Sequence, residues 1–169
     1  MVETPKMYLT IWNLTVSKAI LTLKANMLLG QYHLLFNKDH SLAIPEPLRG
    51  LFTEGAYITR GFEQNLLIMS DRVFREKCQR IMALNIADPK ARLLFRLILG
   101  NASKLEIGKS GQVLFPQDLI TFAGLEKNAI LIGLGDYLEV WAPTQWEEQS
   151  ILLQDAEANA ERFVHLDLV

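Results

Sequence analysis

Leu42-Ala43-Ile44-Pro45-Glu46-Pro47-Leu48 and, 71 residues later, Val113-Leu114-Phe115-Pro116-Gln117-Asp118-Leu119 follow one pattern: an apolar triplet, a proline, two variable residues and a leucine. The correspondence continues after one inserted residue. Ile58-Thr59-Arg60-Gly61-Phe62 faces Ile130-Leu131-Ile132-Gly133-Leu134, Leu66-Leu67-Ile68-Met69 faces Leu138-Glu139-Val140-Trp141, and Phe74 faces Trp146. Order and spacing agree throughout with a single one-residue slip. Chance likeness between two apolar strands does not produce such a series, so the chain is read as an internal duplication.

Each unit predicts the same local structure. A short strand ends at the proline, whose missing N–H stops ladder pairing. A helical turn follows over Leu48 to Phe52 or Leu119 to Phe122, and Gly55 or Gly124 marks a turn. Next come a strand (Ala56–Thr59 or Ala129–Ile132), a tight turn with Gly61 and Asn65 or Gly133, Gly135 and Asp136, and a last strand (Leu66–Met69 or Tyr137–Trp141). Gly133-Leu134-Gly135 sits between strands rather than before a helix, so it reads as a turn and not as a phosphate loop.

Helices are marked by their ends. Asp88-Pro89 and Gly100 bracket a helix over residues 89–99, with Leu93, Leu94, Leu97 and Ile98 spaced to face a core. Asp71–Leu84 reads as a second amphipathic helix, and Thr144-Gln145-Trp146-Glu147 as a capping box opening a C-terminal helix to about Phe163. The fold class is α+β. Its organisation is an N-terminal extension at 1–26, a first repeat at 27–74, connecting helices at 75–100, a second repeat at 101–147 and a C-terminal helix or tail at 148–169.

Composition removes several function classes. The chain is 50% hydrophobic and 21% charged, which is globular rather than disordered, and its net charge of −2 gives no global signature for nucleic acid. Cys78 is the only cysteine, so neither an intramolecular disulfide nor a cysteine-based metal site is available within one chain. His33, His40 and His165 are remote from it in sequence, and no carboxylate pair or nucleophile constellation points to an enzyme. No cofactor is implied. No apolar run approaches the ~18 residues that span a bilayer, and the expected compartment is the cytoplasm. Trp141 and Trp146 are expected to pack. Arg60, whose repeat mate is Ile132, is expected to pair at a turn with Glu63 or with a neighbouring subunit's carboxylate. The basic helix with Arg72, Arg75, Lys77 and Arg80 reads as a solvated face. Glu147, Glu148, Asp155, Glu157 and Glu161 form an acidic one, or a partner for the basic helix across a subunit boundary.

The order Met27-Leu28-Leu29-Gly30, Leu42 to Arg49, Thr59-Arg60-Gly61-Phe62-Glu63, Arg96 to Ala102, Gly111 to Pro116, Ala123-Gly124-Leu125-Glu126-Lys127 and Gly133 to Trp141 resembles the MraZ family of bacterial transcriptional regulators. The likeness covers roughly residues 27–150. It implies tandem AbrB-like swapped-hairpin units forming a pseudo-twofold β-barrel core, assembled as a ring-shaped homo-oligomer in the cytoplasm and on the nucleoid. It also implies binding to short direct repeats in the promoter of a cell-division and cell-wall gene cluster. Since the family usually begins at the Met-x-x-Gly segment, residues 1–26 are either a lineage-specific addition or the product of an upstream start codon; Tyr8 to Trp12 has strand character.

The family's DNA motif, once per repeat, is an aspartate and, after three residues, an arginine, just before the strand that ends in proline. This chain departs from it. The aspartate positions hold Asn37 and Gly108, and the arginine positions Ser41 and Gln112. Lys38 remains in the first copy, Lys109 and Gly111 in the second. The resemblance places DNA contacts at Asn37, Lys38, Ser41, Lys109 and Gln112. Gln112 suits adenine by geometry, while Ser41 is long enough only for a phosphate. Loss of two cations per protomer weakens the salt-dependent phosphate attraction. A competing reading is a degenerate paralogue that assembles into rings but binds protein instead of DNA.

Overall fold

The computed structural model describes residues 27–166; the segment 1–26 and its strand-like run lie outside the described residues. Eight strands and their helices form an α+β fold. The strands are β1 (Leu28–Leu35), β2 (Ser41–Ala43), β3 (Ala56–Arg60), β4 (Leu66–Ser70), β5 (Ser103–Leu105), β6 (Gln112–Leu114), β7 (Asn128–Gly135) and β8 (Tyr137–Trp141). Six make an antiparallel sheet ordered β1-β7-β8-β4-β3-β5, and β2 pairs with β6 in a separate ladder. The large sheet is open: β1 and β5 are its edges, so the strands do not close into the barrel expected from the resemblance.

Repeat mates meet at two places. In the small ladder Leu42 lies opposite Val113, and in the large sheet Leu67 lies opposite Glu139. The outer strands cross over: β1 pairs with β7 of the second repeat, and β5 with β3 of the first. Neither β1 nor β5 was expected from sequence. Gly133 shows why β1 fits where it does. A Cβ there would lie 2.6 Å from the Leu28 carbonyl carbon, so only glycine admits that backbone.

The main core lies between one face of the six-stranded sheet and the β2–β6 ladder. Ile58, Leu66 and Ile68 of the first repeat and Leu131, Leu138 and Val140 of the second meet Leu42, Ile44, Val113 and Phe115 there. Ile58 therefore corresponds to Leu131, not to Ile130, which points to the opposite face with Trp141. The turn of the second hairpin is one residue shorter, Gly133 pairing with Leu138 where Arg60 pairs with Leu66, and this shifts the register. Gly133 through Gly135 accordingly belongs to β7, and the turn is confined to Asp136.

After each proline the chain turns into a short helix, α1 (Glu46–Arg49) followed by a 3-10 turn at Gly50–Phe52, and α4 (Gln117–Phe122). Helix α2 (Asp71–Met82) is capped by the Ser70 hydroxyl, which accepts from the Val73 N–H, and covers the far face of the sheet with Val73 and Phe74; the Phe74 ring stacks on Tyr57 at 4.3 Å. Helix α3 (Pro89–Leu94), capped by Asp88, runs into a π turn at Phe95–Leu99. The widened turn changes the helical phase, so Ile98 is buried while Leu93, expected inward, is 63% exposed. The Thr59 hydroxyl, fully buried in β3, donates to the Ile98 carbonyl at 2.6 Å and ties this turn to the sheet.

The C-terminal segment is two helices, α5 (Pro143–Gln154) and α6 (Ala156–Phe163), broken at Asp155, whose carboxylate accepts from the Ala158 N–H. The expected capping box is not made. With Pro143 at the first helical position, Ala142 is the cap residue, and the Thr144 hydroxyl donates to Gln145 Oε1 instead. Trp141 is buried against Trp146 with ring centres 5.9 Å apart, in keeping with a packing role. Among the described residues no helix is long and apolar enough to cross a membrane.

Candidate nucleic-acid interface

The two motif-bearing loops enter the ends of the β2–β6 ladder, residues 36–41 leading into β2 and 106–112 into β6. Their backbones are hydrogen-bonded alike. Asn37 N–H donates to the Ser41 carbonyl at 2.8 Å and His40 N–H to the Asn37 carbonyl at 3.0 Å. Gly108 N–H donates to the Gln112 carbonyl at 2.9 Å and Gly111 N–H to the Gly108 carbonyl at 2.8 Å. His40 and Gly111, at corresponding positions, both take positive φ, +61° and +81°. Because the ladder is antiparallel, the loops lead off its opposite ends; their last residues, Ser41 and Gln112, lie two positions apart, roughly 7 Å along the strand, on the same face of the ladder.

The side chains differ. In the first loop the Asn37 amide donates to Ser41 Oγ at 2.9 Å, and Ser41 donates to Asp39 through its hydroxyl (2.8 Å) and its N–H (3.2 Å). Those bonds from Ser41 hold the Asp39 carboxyl below its ordinary pKa, so it carries a negative charge at neutral pH. Ser41 is only 5% exposed, and its cross-strand partner is Leu114. Lys38 and His40 remain exposed.

In the second loop Lys109 and Gln112 are both exposed, and Gln112 stands opposite the small side chain of Ala43. Beside them lies a residue the motif comparison missed. Arg49 of α1 donates from Nε to the Ile44 carbonyl at 2.7 Å, and its guanidinium lies against the Cα of Gly111, where a Cβ would overlap Nε. The Ile44 N–H in turn donates to the Gly111 carbonyl at 2.9 Å. A helix of the first repeat thus braces the loop of the second, and only a glycine leaves space for the brace. The signal was present in the sequence as the basic residue ending Leu42 to Arg49, but its target lies more than sixty residues on.

None of Lys38, Lys109 or Arg49 takes part in the ion pairs among the described residues, which are Arg72–Glu76, Arg75–Asp71 and Lys77–Asp136. The basic helix is therefore largely neutralised within the chain. Arg60 forms no ion pair with Glu63 or any other carboxylate among the described residues of its own chain; it lies over the Phe122 ring of α4 at 4.3 Å, a cation–π tie between repeats. Burial pushes the Cys78 thiol up, away from thiolate reactivity. Chemically, the loops and α1 offer cations at the exposed Lys38 and Lys109 and the half-buried Arg49, and an exposed amide at Gln112.

Residues 98–166 match a family model described as "MraZ protein, putative antitoxin-like". A protein named transcriptional regulator MraZ from Herpetosiphon aurantiacus is 38% identical over 121 residues, covering 72% of this chain and 85% of the relative. Its namesake from a Roseiflexus species is 34% identical over 137 residues, covering 81% and 94%, and that from Mycoplasma mobile 31% over 128 residues, covering 76% and 88%. With identity at this level across nearly the whole of each relative, the chain belongs to the MraZ family of transcriptional regulators.

Proposed function

We propose that this chain is a sequence-specific DNA-binding regulator of transcription, acting at the promoter of a cell-division and cell-wall gene cluster. The observation that carries the proposal is the pairing of two like-folded loops by the β2–β6 ladder, which flanks the exposed Gln112 with loops carrying the exposed Lys38 and Lys109 and with Arg49 packed on the second loop. Strand exchange between the repeats, β1 to β7 and β5 to β3, supports reading them as intertwined swapped-hairpin units at 27–74 and 101–147.

Self-association into a ring is part of the same proposal. A groove of about 350 Å³ between the β3–β4 turn and α2–α3 is lined by Phe62, Ile81 and Leu94 together with Lys77, Arg80, Glu63 and Glu139. The C-terminal helices carry exposed Ile151, Leu152 and Leu153 beside Glu147, Glu148, Glu157 and Glu161. Arg80 is outside the ion pairs among the described residues and gives the groove a cation for that acidic face; the two surfaces differ from each other, so a contact between them would be head-to-tail and would propagate to a ring or a filament.

Fluorescence anisotropy with DNA from upstream of the gene, beside a shuffled duplex, tests the regulator reading. Three cations per protomer predict a log–log salt slope of about −2.7, or roughly 40-fold weaker binding per engaged protomer at 200 mM than at 50 mM salt. Replacing Lys38 and Lys109 by alanine should leave a slope of about −0.9. Preference for the native duplex with that salt response sustains the proposal. Absence of binding to either duplex rejects it in favour of a second reading, a ring that binds protein, which the locked and acidic Asn37–Asp39–Ser41 loop favours.

A further inference from the structure

We propose that the two loops of a protomer do different work on DNA: the loop at 106–112 reads a base through Gln112, and the loop at 36–41 anchors a phosphate through Lys38 and reads nothing. This rests on the DNA-binding reading above and assigns the specificity within it.

The loops share the two backbone hydrogen bonds that close them, and they differ chiefly in their side chains and in the bond from the Ile44 N–H to the Gly111 carbonyl. At the position nearest the ladder the first loop has Ser41, closed off by Asn37 and Asp39 and covered by the partner side chain Leu114, itself 62% exposed. Its hydroxyl already donates to Asp39 and accepts from Asn37, which leaves it no proton for a base edge. A second barrier is Asp39, whose negative charge faces any approaching phosphate or acceptor edge. In the second loop the same position carries Gln112, exposed because its ladder partner Ala43 is small. A glutamine amide matches the acceptor–donor pair of adenine N7 and N6 in the major groove.

The left-handed positions separate the loops again. Gly111 admits the Arg49 brace, which holds the residue beside Gln112 against the Ile44 carbonyl. In the first loop that position is His40, and the repeat mate of Arg49 is Ile120, a buried aliphatic side chain that can brace nothing by hydrogen bonding. Both loops are held in order, but the brace on the second leaves the Gln112 amide unengaged, whereas the bonds that order the first consume the Ser41 hydroxyl itself; an ordered loop with a free amide spends little binding energy on becoming ordered. Arg49 is a positioning residue on this account. The recognised element is one A·T pair per engaged protomer.

Selection from a randomised duplex library with the full-length protein tests the assignment, followed by anisotropy on the enriched duplex and on one with its invariant A·T pair replaced. Wild type should favour the enriched duplex by about 5- to 150-fold, the range a good bidentate pair provides. Gln112→Ala should abolish that ratio. Lys38→Ala should weaken both duplexes by the same factor and leave the ratio intact, and Gln112→Arg should move the enriched pair to G·C. Gln112 and Lys38 are exposed, so folding is not at stake in either substitution; equal melting temperatures check this. If the ratio survives Gln112→Ala, or collapses in Lys38→Ala, the division between loops is wrong while DNA binding stands. Binding without any enriched pair overturns it in the same way. If the wild type retains no library DNA at low salt, the regulator reading falls and takes this assignment with it.

Discussion

Gly111→Ala and His40→Gly substitute corresponding positions of the two loops and should have very unequal consequences. At Gly111, φ is +81°, and an alanine held there costs about 1–2 kcal/mol in backbone strain. Its Cβ would also displace Arg49 Nε and come within 2.7 Å of the Ile44 carbonyl oxygen, so the bond from Arg49 to Ile44 is lost, at about 1 kcal/mol. The total is roughly 2–3 kcal/mol, or about 4–12 °C in melting temperature for a domain of this size. His40 already bears a Cβ at φ +61°, and its Arg49 counterpart is Ile120. Glycine there relieves about 1 kcal/mol of strain and loses a similar amount to the freer unfolded chain, for a net change within about 1 kcal/mol of zero. Calorimetry or guanidinium unfolding of both variants measures the contrast. Placing Gly111→Ala in an Arg49→Ala background isolates the brace, because without Arg49 the alanine should cost only its backbone strain and its close contact with the Ile44 carbonyl oxygen. Additivity in that cycle, or a Gly111→Ala variant as stable as wild type, would refute the claim that Arg49 braces the second loop.

Three other outcomes are expected. Thr59→Val keeps the side chain's shape but leaves the Ile98 carbonyl unpaired in the π turn, so unfolding should become about 1–3 kcal/mol easier, while Thr59→Ser, which keeps the 2.6 Å bond, should lose less; equal losses would discount the bond. Burial, with Glu63 nearby, raises the Glu139 carboxyl above its ordinary value, so the stability it contributes is present below its unfolded pKa and lost as pH rises through the folded one. Glu139→Gln, still accepting from Trp141 Nε1, should therefore gain on wild type as pH climbs from the acid range to neutral, and parallel melting curves across that range would contradict the burial effect. If the C-terminal acidic face seats on a neighbour's groove at Arg80, Glu157→Lys with Glu161→Lys should reduce the assembly mass seen by light scattering at low salt, and an unchanged mass would place the subunit contact elsewhere.

What could be read from the chain depended on how local its cause was. The proline-ended ladder strands, the first hairpin and the Ser70- and Asp88-started helices follow from residues adjacent in sequence and form close to the expected limits, whereas β7 runs three residues past its expected end at Ile132. β1 and β5 were not legible. Each is an edge strand whose partner lies in the other repeat, and β1 keeps one exposed side on which Gly30 and Gln31 blur any alternation. Leu93 was assigned inward because a regular helix was assumed; the π turn after it could not be anticipated from spacing. The candidate site divides likewise. The loops and their lost motif residues were evident by counting back from each proline. The burial of Ser41 and the position of Arg49 were not, since one depends on a cross-strand leucine and the other on a contact between repeats.

The pattern of agreement between the repeats carries the functional argument further than either motif does. Leu42 and Val113, Ile44 and Phe115, Leu48 and Leu119, and Ile68 and Val140 are all buried apolar mates. Exposing any of them would cost about 1.5–3 kcal/mol, which constrains both copies alike. Off the core that constraint lapses, and the mates part: Ser41 and Gln112, His40 and Gly111, Arg49 and Ile120. On the proposed reading, the two loops present different side chains, so the surface of one protomer is unsymmetrical although its core is nearly two-fold. Once one loop is locked on itself and the other braced open, each protomer has a direction along the DNA. Copies arranged head-to-tail on such a strand would each meet the same short sequence in the same orientation, which is the arrangement direct repeats provide.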